Sequence, residues 1–342
     1  MSQPTSPRAL LPALALALAL ALVLALAPAA VLLAAPSARA ADNGQWSVFP
    51  AAAGPGGRPY FYLSADPGQS VTDKVTVTNR TAAPLTFRLY AADAYNTPRD
   101  GGFAVRSPDE RQRGVGAWAS PARERITVPA RGSVTVPYTL TVPESAEPGD
   151  HPGALVALDE RVAPPKGPVA VGVRQAVGAR VHLRVNGPAV PALSVEDVRI
   201  DQDRPPAPGL GESSALISYT LHNRGNVTLD PTVTLKAEGL FGRDLLSRRL
   251  TKVPAELLPR QRIRLTERWS GSPQLEWGEI RLTATAREVR ESAGASFLAV
   301  PWGAAAVLAA AAAGLAFRFR ERLLHRLRNG PRNRRAATPG PG

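Results

Sequence analysis

The chain has 342 residues, of which 44% are hydrophobic, and a formal net charge of +13 at pH 7 with no cysteine. The lack of cysteine excludes disulfides and thiolate metal sites. The charge does not indicate nucleic-acid binding, because residues 318–342 alone hold eight arginines against one glutamate. A basic excess next to an apolar segment is typical of membrane topology.

Residues 1–40 predict a secretory signal peptide. Their apolar run ends in an A-x-A cleavage signal at Ala38 and Ala40. The run is long enough that an uncleaved first membrane span stays open as an alternative. Either interpretation places the chain that follows outside the cytoplasm.

Residues 41–187 predict the first β-sandwich. Apolar and polar residues alternate over 71–77, 85–89, 134–142 and 181–185, with Gly, Pro and Asn turns between them. Pro137 within the 134–142 run favours an edge strand, since proline cannot donate to a ladder. Many short strands and no amphipathic helix predict an antiparallel sandwich.

Residues 188–290 repeat this plan. VTVTNRTAAPLTFRL in the first region parallels ISYTLHNRGNVTLDPTVTL in the second, with strand, Asn turn, Pro and strand in the same order. The fold class predicted is therefore all-β, with two tandem Ig-like antiparallel β-sandwich domains. A short stalk is expected at 291–296.

Residues 297–317 predict a single transmembrane helix. The segment from Phe297 to Phe317 holds no charged residue over about 32 Å of helix, and the basic tail 318–342 follows it. The positive-inside rule puts that tail in the cytoplasm and the two sandwiches outside the cell membrane. The alternative is a buried Ala-rich helix of a protein core.

The first region resembles the peptidoglycan-binding domain of the WxL-interacting protein family. The stretches that carry the resemblance are FYLSADPGQSVTDKVTVTNRTAAPLTFRLYAADAY, GVGAWAS, VPESAEPGDHPGALVAL and VGARVHLRV. It implies a non-enzymatic cell-surface protein with a peptidoglycan-binding domain at 41–187. Residues 188–290 stand where that family has its partner-binding domain.

Aromatic rings and guanidinium groups are the side chains expected to bind a wall glycan. A flat ring covers the apolar face of a sugar, and arginine binds carboxylate or phosphate groups. Arg99, Arg106, Arg111 and Arg113 flank the loop that contains Tyr95. The alternative is that these arginines belong to an ordinary solvated surface. The alternative role for Trp118 is that of the central aromatic residue in the core of the first sandwich. The glycan-binding candidates are Tyr60, Tyr62, Tyr95, Trp118, Arg99 and Arg106.

No enzymatic function is predicted, because the four histidines fall in no catalytic or metal-binding motif. Asp93, Asp150 and His151 form the one polar group worth testing as a metal or acid–base cluster. The preferred interpretation is that Asp150 and His151 stabilise a Pro-Gly turn. No metal and no cofactor are expected.

Trp277 and Phe241 are predicted to contact a protein partner from the second sandwich. The function predicted is a membrane-anchored, cell-wall-facing protein that binds peptidoglycan or another wall polymer and a surface or membrane protein. The alternative is an accessory subunit of a membrane transporter or wall-synthesis complex that binds no glycan.

Overall fold

The computed structural model describes residues 42–52, 57–161 and 174–328. The predicted signal peptide and the last part of the basic tail, residues 329–342, lie outside these ranges. The described chain forms two β-sandwiches in tandem, followed by a helix. The all-β prediction is confirmed to this extent.

The first sandwich packs a sheet of order β1-β3-β8-β6 against a sheet of order β2-β10-β9-β4-β5, in which β7 also pairs with β4. All its pairs are antiparallel except β2 with β10, which run parallel. Its elements are β1 (Trp46–Pro50), β2 (Phe61–Ala65), β3 (Ser70–Asn79), β4 (Leu85–Asn96), β5 (Phe103–Val105), α1 (Val115–Trp118), β6 (Ala119–Pro121), β7 (Arg125–Val128), β8 (Ser133–Thr141), β9 (Gly149–Asp159) and β10 (Ala176–Val185).

The core of the first sandwich is built from the alternating apolar residues of these strands. Trp46 is fully buried at its centre, with its ring centroid 5.2 Å from that of Phe87. Trp118 is only partly buried and packs on the margin of this core. The central core aromatic is therefore Trp46, and the alternative role considered for Trp118 is wrong.

The second sandwich packs a sheet of order β11-β12-β15 against one of order β14-β13-β16-β17. Ile217, Tyr219 and Trp269 contribute to its core. Its strands are β11 (Leu193–Asp203), β12 (Ser214–Asn223), β13 (Thr232–Glu238), β14 (Asp244–Arg249), β15 (Arg262–Ser270), β16 (Glu276–Ala286) and β17 (Val289–Ala299).

The predicted stalk at 291–296 is wrong, because these residues belong to β17 and pair with β16 along their whole length. Phe297 and Ala299 also lie in β17 and face the core, where the Phe297 ring meets Trp269 edge-on at 5.9 Å. Helix α2 (Trp302–Arg328) therefore begins five residues after the predicted start at Phe297. No helix in the described ranges is both long enough and apolar enough to cross a membrane.

The edge position predicted from Pro137 is wrong for β8 as a whole, which has a neighbour on each side, but it holds locally at Pro137. β8 lies between β3 and β6, but β6 pairs with it only from Ala119 to Pro121, and its last partner is Tyr138. Pro137 stands one residue beyond that pairing, and its carbonyl accepts the Ala122 N–H at 2.9 Å. The missing N–H of proline is tolerated there because the neighbouring strand has already ended.

Candidate functional site

The two sandwiches are joined at the start of β9 through Asn226. Its carboxamide donates to the carbonyls of Pro148 (2.8 Å) and Pro188 (2.9 Å), and its backbone carbonyl accepts the Asp150 N–H at 2.8 Å. Gly149 adopts φ +130°, and a Cβ atom there would stand 2.3 Å from the Asn226 carbonyl oxygen. Only glycine permits this close approach of the two domains.

A second junction is formed by Asn96 at the end of β4. Its buried carboxamide donates to the Glu256 carbonyl and accepts the Leu258 N–H, both at 2.8 Å. Arg180 of the first sandwich also pairs with the Glu256 carboxylate at 3.2 Å. These two junctions hold two loops of the second sandwich against the first, one with Asn226 and one with Glu256 and Leu258.

A cleft of about 590 Å³ lies between the sandwiches, and we call it the junction cleft. A groove of about 430 Å³ continues it past His151 to Trp118, and Arg113 and Arg260 line both. The junction cleft therefore collects several of the side chains predicted from the sequence. Its polar lining residues are Asp93, Arg106, Glu110, Arg111, Arg113, Glu147, Asp150, His151, Asn226, Arg260 and Gln261.

Asp93 organises the loop that precedes α1. Its carboxylate accepts the N–H groups of Arg113, Gly114 (3.0 Å) and Gly116 (2.8 Å), while its own N–H donates to Gln112 at 2.8 Å. A carboxylate with this many backbone donors is already satisfied. Its contacts thus support a positioning role, and not that of a free base or metal ligand.

Asp150 and His151 are separated by the pleat of β9, since successive side chains of a strand point to opposite faces. The Asp150 carboxylate pairs with Arg184 at 2.6 Å and accepts the Thr228 N–H at 2.7 Å. His151 instead bonds the Glu147 carbonyl at 2.8 Å. In the described part of the chain, no group of three His, Cys, Asp or Glu side chains is arranged to hold a metal ion.

Trp118 and His151 form a ring pair in the groove. Their centroids are 4.7 Å apart and the ring planes are inclined by 50°. α1 positions Trp118, and the Asp93 carboxylate positions the loop that leads into α1. The groove therefore has a partly exposed aromatic wall that the Asp93 contacts hold in place.

Four arginines line the junction cleft together with His151, and two of them have no carboxylate partner among the described residues. Arg260 is paired with Glu147, and Arg106 with Glu110 at 3.6 Å. Arg111 and Arg113 are exposed, and within the described residues neither has a carboxylate within 4.0 Å. The cleft thus offers two free cationic groups to an acidic ligand.

The two glycan candidates Tyr95 and Arg99 differ in their relation to the junction cleft. The Arg106 guanidinium stands over the Tyr95 ring, 5.8 Å from its centroid. Arg99 is exposed in the turn between β4 and β5 and does not line the cleft. Tyr95 is therefore associated with the cleft through Arg106, whereas Arg99 is not.

Tyr60 and Tyr62 lie on a separate surface, around His182. The Tyr62 ring, 63% exposed, stacks on His182 at 5.2 Å and 12°, and the Tyr60 ring meets His182 edge-on at 5.5 Å. Burial lowers the pKa of His182, because the charged imidazole loses hydration there. The sequence analysis missed His182, although its place opposite Tyr62 follows from the parallel pairing of β2 and β10.

No family model matches the sequence, and no curated protein matches it. Solved structures that are similar include the class 5 fimbriae chaperone CfaA (10% identity, 75% of this chain and 100% of that chain, TM-score 0.33). Another is a chain of the CsuC–CsuE chaperone–tip adhesion subunit complex of Acinetobacter baumannii (9%, 72% and 98%, TM-score 0.35). The Escherichia coli chaperone DraB is a third (11%, 74% and 97%, TM-score 0.31). A similarity this weak identifies neither a family nor a function for this chain.

Proposed function

We propose that this protein is a non-enzymatic binding protein that holds an acidic cell-wall polymer, in the first place peptidoglycan, in the junction cleft. One observation carries the proposal: Arg111 and Arg113 have no carboxylate partner in the described structure, and both line the cleft with His151, whose ring pairs with that of Trp118. The resemblance of residues 41–187 to the WxL-interacting proteins points to the same ligand.

The chemistry of peptidoglycan suits this lining. Its peptide stems carry carboxylates, which guanidinium groups bind through two parallel hydrogen bonds. Its sugar rings have apolar faces, which an aromatic side chain covers at low entropic cost.

The experiment is retention of the full chain, in detergent, on insoluble peptidoglycan at low and at high salt. The Arg111→Ala/Arg113→Ala double variant is compared with Arg264→Ala/Arg290→Ala. The latter removes two exposed arginines that have no carboxylate within 4.0 Å in the described residues and lie on the second sandwich. The two variants have the same net charge.

We expect the cleft variant to bind at least about tenfold more weakly than wild type, which is ~1.4 kcal/mol. The control should bind as wild type, and salt should weaken wild-type binding. Equal retention of the two variants would contradict the proposed cleft. No retention of wild type at low salt would favour an accessory subunit of a membrane transporter or wall-synthesis complex.

The protein partner predicted for Trp277 and Phe241 stays a prediction. Both side chains are exposed, Trp277 at 63% and Phe241 completely. They lie on the second sandwich and line neither the junction cleft nor its groove. A role for them is therefore separate from the proposed wall binding.

A further inference from the structure

The end of the second sandwich from which α2 emerges carries five large exposed apolar side chains, which we call the apolar end. Trp277, Leu298, Leu275 and Trp302 are 62–68% exposed, and Phe241 is fully exposed. Single exposed apolar residues are common on protein surfaces, but a contiguous group marks an interaction site.

Specific contacts hold this group together. Trp277 stands directly opposite Leu298 in the β16–β17 pair. The Leu240 N–H donates to the Glu276 carboxylate at 3.0 Å, so the turn that carries Phe241 lies next to the start of β16. Leu275 is the neighbour of Glu276 in the chain.

The beginning of α2 is fixed to the same place. The Arg204 guanidinium donates to the carbonyls of Leu298 (3.1 Å) and Val300 (2.9 Å). The Gly303 N–H donates to the Pro206 carbonyl at 2.9 Å. These bonds fix the chain from Leu298 to Gly303 against residues 204–206, so Trp302 follows Leu298 by four residues at the point where the helix begins.

The exposure of Phe241 is built into the fold. Phe241 adopts φ +58°, a left-handed conformation that is rare for a bulky side chain. The Glu276 carboxylate, which also pairs with Arg243, accepts the N–H of the preceding Leu240, and this bond is the main cause of the lowered pKa of Glu276. Neighbouring contacts thus hold the turn in a conformation that presents an apolar ring to the surroundings.

Helix α2 shows which kind of partner fits. No charged residue occurs from Trp302 to Phe317. Trp302, Val307 and Leu308 are each nearly 70% exposed and, at about 100° per residue, point to three different sides. A helix that is apolar all round is buried in a large protein or in lipid.

We infer that the apolar end rests in the interfacial layer of a phospholipid bilayer, with the apolar surface of α2 in contact with the acyl chains. A protein partner would cover one side of α2, whereas lipid covers all sides and the adjoining apolar end together. The amphipathic rings of Trp277 and Trp302 prefer the headgroup level, and Phe241 suits the apolar side of the same boundary. Arg318, Arg320 and Arg322 follow the apolar part of α2 and suit lipid phosphates. The inference requires α2 and the apolar end to contact lipid. It does not depend on α2 crossing the bilayer.

The test uses the lack of native cysteine, which makes any introduced cysteine a unique labelling site. Phe241→Cys, Trp277→Cys and Val307→Cys full-length chains receive an environment-sensitive fluorophore and are reconstituted with phosphatidylglycerol–phosphatidylcholine vesicles. Tyr62→Cys is the matched control, because Tyr62 and Trp277 are both 63% exposed but Tyr62 lies on the first sandwich.

Vesicles are expected to blue-shift the labels at 241, 277 and 307 and to reduce their quenching by iodide roughly twofold, while lipid-borne nitroxide quenches them. The label at 62 should not change. Labels at 241 and 277 that stay open to iodide, with the label at 307 protected, would overturn the inference and return both residues to the predicted protein partner. A label at 307 that stays open to iodide would also overturn it.

Discussion

A buried asparagine closes the same turn in each sandwich. Asn79 and Asn223 are fully buried, and each carboxamide donates to two or more backbone carbonyls across its turn. The sequence parallel between the two regions therefore reflects equivalent contacts, which supports two related sandwiches.

Asn223→Asp should lower the free energy of unfolding by about 1–3 kcal/mol, because a carboxylate cannot donate to the carbonyls of Val227 and Leu257. Asn43→Asp is the control. The Asn43 oxygen accepts the N–H groups of Gln45 and Trp46, and aspartate retains those bonds. Urea denaturation measures both, and equal losses would contradict the donor argument.

His182 should make stability depend on pH. Its folded-state pKa lies below the ordinary value of about 6.5, mainly because burial disfavours the charged ring. The stabilisation linked to this group is then complete above that ordinary value and is lost as the pH falls below it. From about pH 7 to about pH 5, the free energy of unfolding should fall more in wild type than in His182→Gln. Parallel pH profiles from urea denaturation would refute this.

Much of the candidate site follows from residue types, but its assembly does not. Trp118 and Arg106 were identified because aromatic and guanidinium groups suit a glycan, whereas His151 was identified only as part of a possible metal or acid–base cluster. The sequence does not show that the Asp93 carboxylate accepts hydrogen bonds from backbone N–H groups. It also does not show that Arg111 and Arg113 have no acidic partner among the described residues. Such facts depend on contacts between residues far apart in the chain.

At the level of elements, alternating strands were predicted well and boundaries less well. β8 and β12 show clear period-two patterns, and the structure has them as strands. β17 was missed for two reasons. Its residues from Glu291 to Ser296 are small or polar and show only a weak alternation. Its last apolar residues are followed almost directly by the apolar residues of α2. A continuous apolar run does not reveal where core burial ends and a helix begins.

Gly153 controls how α1 packs on β9. A Cβ atom at this position would stand 2.6 Å from both the Ala92 carbonyl oxygen and the Val115 Cβ. Gly153→Ala should therefore displace α1, lower the free energy of unfolding by about 1–3 kcal/mol, and weaken peptidoglycan retention through Trp118.

Gly57→Ala serves as the control for Gly153→Ala, because among the described residues beyond its chain neighbours no atom lies within 4 Å of a Cβ atom at Gly57. Urea denaturation and the retention assay measure both variants. Wild-type behaviour of Gly153→Ala in both assays would show that α1 can adjust without effect on the site.

For the whole molecule, the tandem arrangement of two sandwiches was predictable, and the way they are joined was not. Asn96 and Asn226 look like ordinary turn residues in the sequence. In the structure each uses its side chain to bond backbone groups across the junction between the domains. From the sequence alone, an asparagine that forms hydrogen bonds within its own turn cannot be distinguished from one that forms hydrogen bonds to another domain.

Asn96→Ala should uncouple the two sandwiches. It leaves the Leu258 N–H and the Glu256 carbonyl without their partner across the junction, at a cost of about 1–3 kcal/mol, and it also removes a 2.7 Å bond to the Gly101 carbonyl within the first sandwich. Calorimetry should show wild type unfolding in one transition and the variant in two.

Asn186→Ala is the control for Asn96→Ala, because Asn186 is exposed and its side chain bonds only within the first sandwich. Because the junction cleft has walls from both domains, Asn96→Ala should also weaken peptidoglycan retention, even though Asn96 does not line the cleft. A single transition with full retention would mean that the Asn226 contacts suffice to fix the two domains, and that Asn96 adds no coupling.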